Sequence, residues 1–210
     1  MTEVDFFWDP VCPWAWLTSR WVVNVMEQRP LEVTWRFISL RMVNGERDYA
    51  TDFAPGYERR HTRGLELLRV AAGVRIELGE AAVLPLFTAF GEAIHHEGDA
   101  ARFDTPAGVA HILEALGYPV GLGATATSTE HDALIAGETQ AALDRCGGNV
   151  GTPVLTFGPP DGPSFFGPII NEAPQGQEAL DLWDAVVVLG RNPHFSELKR
   201  SRRGRPRFDI

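Results

Sequence analysis

The chain has 210 residues, of which 44% are hydrophobic and 22% charged, and a formal net charge of −9. That length allows one well-buried domain, or one domain carrying an insertion. The acidic balance argues against nucleic acid as a partner, since phosphate binding needs a basic surface. No apolar run reaches the roughly 18 residues of a membrane-spanning helix, so no membrane association is expected. Met1-Thr2-Glu3 leads into the first strand without a leader pattern. Two cysteines, Cys12 and Cys146, do not make a disulfide framework, and a reducing, cytoplasmic setting is expected. The basic residues gathered between Lys199 and Arg207 read as a solvated tail.

The apolar run Val4 to Trp8 predicts a buried strand, which Asp9-Pro10 breaks. From Pro13 the apolar residues Trp14, Leu17, Trp21 and Val25 recur at helical spacing, predicting a helix to about Gln28. Leu31 to Ile38 alternates with period two and predicts a second strand. A strand, a crossover helix and a second strand imply parallel pairing. From Ser39 to Gly56 the text is loop-like. Helices are expected over Tyr57–Ala72, over Glu80–His96 with Pro85 as a first turn or a kink, and from Thr105-Pro106 to Leu116. Gly117 and Gly121–Gly123 read as connectors. Thr127–Cys146 predicts a short helix and then a longer one, closed by Gly147-Gly148. Val154–Phe157 and Ser164–Phe166 predict a hairpin, and Gln177–Leu189 an amphipathic helix. The order is βαβ, several helices, then ββα.

Cys12 falls between the first strand and the first helix. Pro13 suits the first helical position, which needs no amide donor. Free amides and the helix dipole at that place favour a thiolate over a thiol, so Cys12 is expected to be substantially ionised near neutral pH. The competing reading is a small, inert, buried hydrophobe.

The element order is that of an α/β, thioredoxin-like frame with an all-helical insertion. Cys12-Pro13-Trp14-Ala15 stands where such proteins carry a C-x-x-C motif. Thr152-Pro153 stands where they carry a cis-proline, a feature of tight functional turns. The frame is expected from residues 1–40 and 146–210, and the insertion from 41–145. The segments Asp9 to Trp21, Ser39-Leu40, Asn44 to Asp48, Val150 to Pro153, Phe165 to Pro168 and Leu182 to Asp184 carry a closer likeness. Through them the chain resembles the actinobacterial mycothiol-dependent nitroreductase and mycoredoxin-like family of DsbA-like proteins. That resemblance implies Cys12 as the nucleophile and mycothiol, or another low-molecular-weight thiol, as co-substrate, with nitroaromatic or disulfide substrates. It also implies a substrate-facing Trp14, pocket positions at Asn44 and Tyr57, and a backbone at Thr152 that pairs with a bound thiol or peptide. Each has a plain structural alternative: helix packing for Trp14, a turn for Asn44, a helix-start aromatic for Tyr57.

The departure lies at Ala15, where well-known relatives have a second cysteine. In the dithiol mechanism that cysteine resolves the mixed disulfide. With Ala15 in place an external thiol must resolve it, unless Cys146 does; a structural role is expected for Cys146. Transfer or isomerisation of a bound thiol adduct, and thiol binding without redox chemistry, remain open, as does an engineered origin for Ala15. His61 and His95-His96 match no zinc pattern, so no metal is expected, and a surface or core role is expected for His95. The expected partners are a small thiol and its substrate, with a homodimer left open.

Overall fold

The computed structural model describes residues 2–148, 150–201 and 204–208. The first unit forms as its periodicity predicts: strand β1 (Thr2–Trp8), helix α1 (Pro13–Gln28) and strand β2 (Leu31–Phe37). β1 and β2 pair in parallel, with Trp8 opposite Phe37. Strands β3 (Val154–Phe157) and β4 (Ser164–Phe166) add on antiparallel, giving the order β2-β1-β3-β4. This is the thioredoxin arrangement.

The pleat sends alternate residues of β1 to opposite faces. Val4, Phe6 and Trp8 enter the main core with α1, whereas Phe7 joins Ile38, Ala142 and Val154 in a smaller cluster on the other face. Asp5, wholly buried on that second face, is neutralised by Arg36 at 2.9 Å and Arg145 at 2.8 Å. A buried carboxylate needs such partners, because desolvation penalises the bare charge. On the main face, α8 (Gly176–Arg191) docks on α1 through the indole N–H of Trp21, which donates to Ala179 O at 2.9 Å.

The middle of the chain is helical: α2 (Leu40–Val43), α3 (Tyr49–Asp52), α4 (Tyr57–Leu78), α5 (Val83–Gly91), α6 (Pro106–Ala115) and α7 (Asp132–Cys146). It packs onto the sheet through aromatic rings. Phe87 of α5 stacks on Trp8 with centroids 4.0 Å apart. At the end of α5 Gly91 lies against Trp16, where a Cβ would come within 2.1 Å of the indole.

Several local readings are corrected. Ser39–Gly56 is not simply loop: α2 and α3 form there, each opened by a side chain that accepts from a first-turn amide, Ser39 Oγ from Met42 N and Asp48 Oδ1 from Ala50 N. Such caps satisfy orphan donors and nucleate even one turn. Glu80–His96 is three pieces, a 3₁₀ turn, α5 with Pro85 in its first turn, and a π-turn over Glu92–His96. The 121–123 connector lies inside 3₁₀ turns spanning Val120–Thr127, and α7 starts only at Asp132.

Candidate active site

Cys12 is the N-cap of α1; its carbonyl accepts from Trp16 N at 3.1 Å. The thiol donates to Thr152 O at 3.3 Å. The Thr152–Pro153 peptide is cis, as expected from the sequence. Its loop is tied back at three points. Thr152 Oγ1 donates to Phe7 O at 3.0 Å, Gly167 N donates to Pro153 O at 2.8 Å, and Thr18 Oγ1 donates to Pro168 O at 2.8 Å. Cys12 and Thr152, 140 residues apart in sequence, thus face each other across fixed backbone. Within the motif Pro13 and Trp14 are half-buried, and Ala15 is wholly buried.

The turn that presents Cys12 is held from the helical side of the molecule. Asp9 is fully buried; its Oδ1 accepts from Val11 N at 3.0 Å and its Oδ2 from Leu40 N at 2.8 Å. One carboxylate therefore both closes the turn and pins the start of α2. Gly64 of α4 makes room for it: a Cβ there would lie 2.5 Å from Asp9 Oδ1. Arg60 of α4 donates to Val11 O from Nε at 3.1 Å and from Nη2 at 2.6 Å. His95 Nε2 lies 2.8 Å from Pro10 O. The π-turn aims His95 at that carbonyl, an extra-residue device that recurs where a helix must re-aim a side chain.

Burial dominates the titration of these groups. It pushes the Cys12 thiol up to about 11; the amides of Ala15 and Trp14 and the Arg60 charge oppose it, while the nearby Asp9 adds to it. The expected thiolate is thus overturned. The helix amides do act in the anticipated direction, but they are outweighed by loss of water around the sulfur. Burial likewise raises Asp9 to about 7, against two backbone amides and Arg60. It lowers His95 and His61 to about 4 each, and Arg60 lowers both further. Arg60 is therefore the one cation felt by all four groups.

The remaining expected residues fall as follows. Asn44 Nδ2 donates to Leu40 O at 2.8 Å and closes α2. Tyr57 opens α4 at 38% exposure. Its ring stacks on Phe53 at 5.9 Å and meets His61 edge-on at 5.6 Å. His61 is held by the Tyr49 hydroxyl, 2.9 Å from its Nδ1. Cys146 ends α7 and packs with Phe7 and Val154 on the second face of the sheet, away from the cluster that contains Cys12. Asp9, Arg60 and the contact of His95 were not anticipated. The only sequence signal among them is Asp9-Pro10, since Asp favours bonding the amide two residues on. Among the described residues no group of three side chains is placed to hold a metal, and no helix is long and apolar enough to cross a membrane.

The chain is similar to several known proteins. An uncharacterised protein of Mycobacterium tuberculosis, Rv2286c, is 31% identical over 202 residues, covering 95% of this chain and 82% of the relative. Among solved structures, a 2-hydroxychromene-2-carboxylate isomerase matches with a TM-score of 0.57 at 18% identity, over 89% of this chain and 94% of that one. The cytosolic disulfide reductase DsbM of Pseudomonas aeruginosa matches with a TM-score of 0.57 at 15% identity, over 89% and 99%. A DsbA variant of the same species gives 0.52 at 18%, over 89% and 85%. At these identities the structures speak for the fold, which is DsbA-like. The model of the Rv2466c-like family, described as mycothiol-dependent nitroreductase Rv2466c, matches residues 11–200, from the turn before Cys12 to the start of the basic tail, and the chain belongs to that family.

Proposed function

We propose that the protein is a monothiol oxidoreductase in which Cys12 is the nucleophile and a low-molecular-weight thiol, mycothiol by the family's description, completes the cycle. The observation that carries this reading is the Cys12 thiol at the start of α1, 3.3 Å from the carbonyl of the cis-proline loop. In the reaction Cys12, deprotonated, attacks one sulfur of a disulfide. A mixed disulfide forms and the other half leaves as a thiolate. A second thiol molecule then attacks the mixed disulfide, is oxidised in turn, and returns Cys12 to its reduced form. Ala15 has no sulfur to do this, and Cys146 lies beyond the sheet. Disulfides and nitroaromatics are the substrate classes we assign, in a reducing cytoplasm.

Thr152 O receives the resting S–H and supports a bound thiol through its backbone. By the family resemblance we also assign to the substrate pocket Trp14, inside the motif, Asn44 at the end of α2 and Tyr57 at the start of α4. A second reading has one specific observation in its favour: burial keeps the resting thiol protonated, which suits a protein that binds a thiol, or isomerises its adduct, without redox turnover. The test separates the two. Incubation with the oxidised form of mycothiol, or another small disulfide, at pH 8 should add one half-disulfide to the intact mass, located on Cys12. Failure to form that adduct would remove the redox reading and leave the binding one.

A further inference from the structure

The guanidinium of Arg60 differs from those around it. Arg41, Arg47, Arg59 and Arg63 on the same side of the molecule each pair with a carboxylate: Glu58, Asp52, Glu66 with Asp104, and Asp104. Arg60 has no carboxylate within 4 Å among the described residues. Its Nε and Nη2 are both spent on Val11 O, which fixes the plane of the fork. Among the described residues Nη1 makes no hydrogen bond. Arg60 is only half-buried, and its charge reaches the Cys12 sulfur. The exposed ring of Tyr57 lies against it, with the guanidinium carbon 5.7 Å from the ring centroid, and Phe53 stacks behind that ring.

Arg60 acts through space on the buried Asp9, but it makes no ion pair of its own among the described residues, so its remaining N–H edge is open to an anion in a protein whose net charge is otherwise −9. A planar guanidinium with a free N–H edge beside an aromatic face is suited to a planar oxyanion on a ring. We infer that Arg60 and Tyr57 form an anion subsite next to Cys12, and that the substrates of the proposed thiol chemistry are aromatic compounds bearing a carboxylate or similarly placed oxyanion. The ring of the ligand lies along Tyr57 and its oxyanion on Arg60, which leaves the Cys12 thiol facing the remainder of the molecule. That these ligands are substrates rests on the proposed role of Cys12; their binding at the subsite does not.

Two measurements keep these apart. In the first, isothermal titration compares 4-nitrobenzoate with the uncharged 4-nitrobenzamide, neither of which reacts with a thiol through a disulfide. The carboxylate should bind more tightly than the amide. Arg60→Gln should erase most of that preference, a change of roughly tenfold in the affinity ratio for one lost charged contact. Arg60→Lys should keep part of it. Arg191→Gln, which removes the same net charge from the exposed end of α8, should keep it all. Equal binding of the two probes to the unaltered protein, or a preference that survives Arg60→Gln, would overturn the subsite.

The second measurement compares rates of mixed-disulfide formation with 5,5′-dithiobis(2-nitrobenzoate) and 4,4′-dithiodipyridine. In each case Cys12 gains an S–S bond to half the probe and the other half leaves as a thiolate. The ratio of the two rates cancels any change in the sulfur itself, and Arg60→Gln should lower the ratio roughly tenfold as well. A ratio unmoved by Arg60→Gln would count against the subsite. Binding preference without any adduct would leave the subsite standing and remove the redox reading; adducts without any preference would do the reverse.

Discussion

His95 Nε2 lies 2.8 Å from Pro10 O across 85 residues of sequence. A carbonyl only accepts, so Nε2 carries a proton whether the ring is neutral or charged. Burial keeps the ring neutral by lowering the His95 pKa to about 4 from its ordinary 6.5, against the Pro10 bond, which favours the charged form. Between those two values the unfolded chain binds the proton and the folded one does not. The contribution of the neutral ring is thus complete above about pH 6.5 and is lost as the pH falls toward 4. His95→Phe should cost about 1–3 kcal/mol at pH 7, because Pro10 O is left buried without its donor. It should also flatten the acid loss of stability. Urea unfolding of both proteins at pH 7, 5.5 and 4.5 checks this, and a gap that stays constant with pH would refute the assignment. Some acid sensitivity will remain, since His61 titrates in the same window.

Asp9 should give the opposite sign. Its folded pKa is raised to about 7 from 3.8, so between those values the folded protein holds a proton that the unfolded chain has released. On account of this group stability falls as the pH climbs from about 4 to 7, by on the order of 4 kcal/mol at 1.36 kcal/mol per unit. Asn is neutral throughout. The unaltered protein should therefore gain stability relative to Asp9→Asn on going from pH 8 to pH 5. In the same variant the Cys12 thiol loses a neighbouring negative charge, and its alkylation by iodoacetamide at pH 8 should quicken. A slower alkylation would mean that the geometry of the turn matters more than the charge.

Gly64→Ala tests the packing that lets Asp9 sit where it does. The new Cβ would lie 2.5 Å from Asp9 Oδ1 and 3.0 Å from Val11 Cγ2. Neither neighbour can yield freely, because Asp9 is bonded to two amides. A loss of about 1–3 kcal/mol is expected from overpacking, accompanied by weaker hydrogen-exchange protection of the Val11 and Leu40 amides. A tolerated alanine with both amides still protected would show that the turn is softer than its bonding implies.

Ala15→Cys should convert the proposed monothiol cycle into a dithiol one. Positions 12 and 15 are one helical turn apart and share a face. In the parent protein a mixed disulfide on Cys12 should persist when no thiol is added. In the variant it should clear unaided. Cys12→Ser should abolish the adduct and Cys146→Ser should leave it intact, all by intact mass. Were the adduct of the parent to clear on its own, and to persist only in Cys146→Ser, Cys146 would be the resolving thiol after all.

The βαβ start and the hairpin could be read from the chain because their signals are local: a period of two or of 3.6 residues and a proline in the first turn lie within a few positions. The cis peptide before Pro153 was legible only through the likeness to the thioredoxin-like frame, which carries a cis-proline at that place. The state of Cys12 could not be read that way. Its helix amides are local and visible, but the burial that overrides them comes from distant packing, in which the cis-proline loop, 140 residues away, meets the sulfur. Arg60 and His95 were illegible for the same reason. Each acts on a backbone carbonyl of the 9–12 turn, and such an acceptor leaves no trace in sequence. α2 and α3 escaped because one capped turn is too short to show a period, although Ser39 and Asp48 were the residues to notice.

The sheet that separates Cys12 from Cys146 bears on chemical wear. A thiol attacked by peroxide becomes a sulfenic acid, and in many proteins a nearby cysteine condenses with it before further oxygen is added. With Ala15 behind it and Cys146 on the far face, Cys12 has no such rescuer in its own chain. Its survival under peroxide then depends on the free thiol around it. Irreversible inactivation should slow in proportion to added small thiol, with sulfinic acid on Cys12 as the terminal product by mass. The Ala15→Cys variant should carry its own protection and lose that dependence.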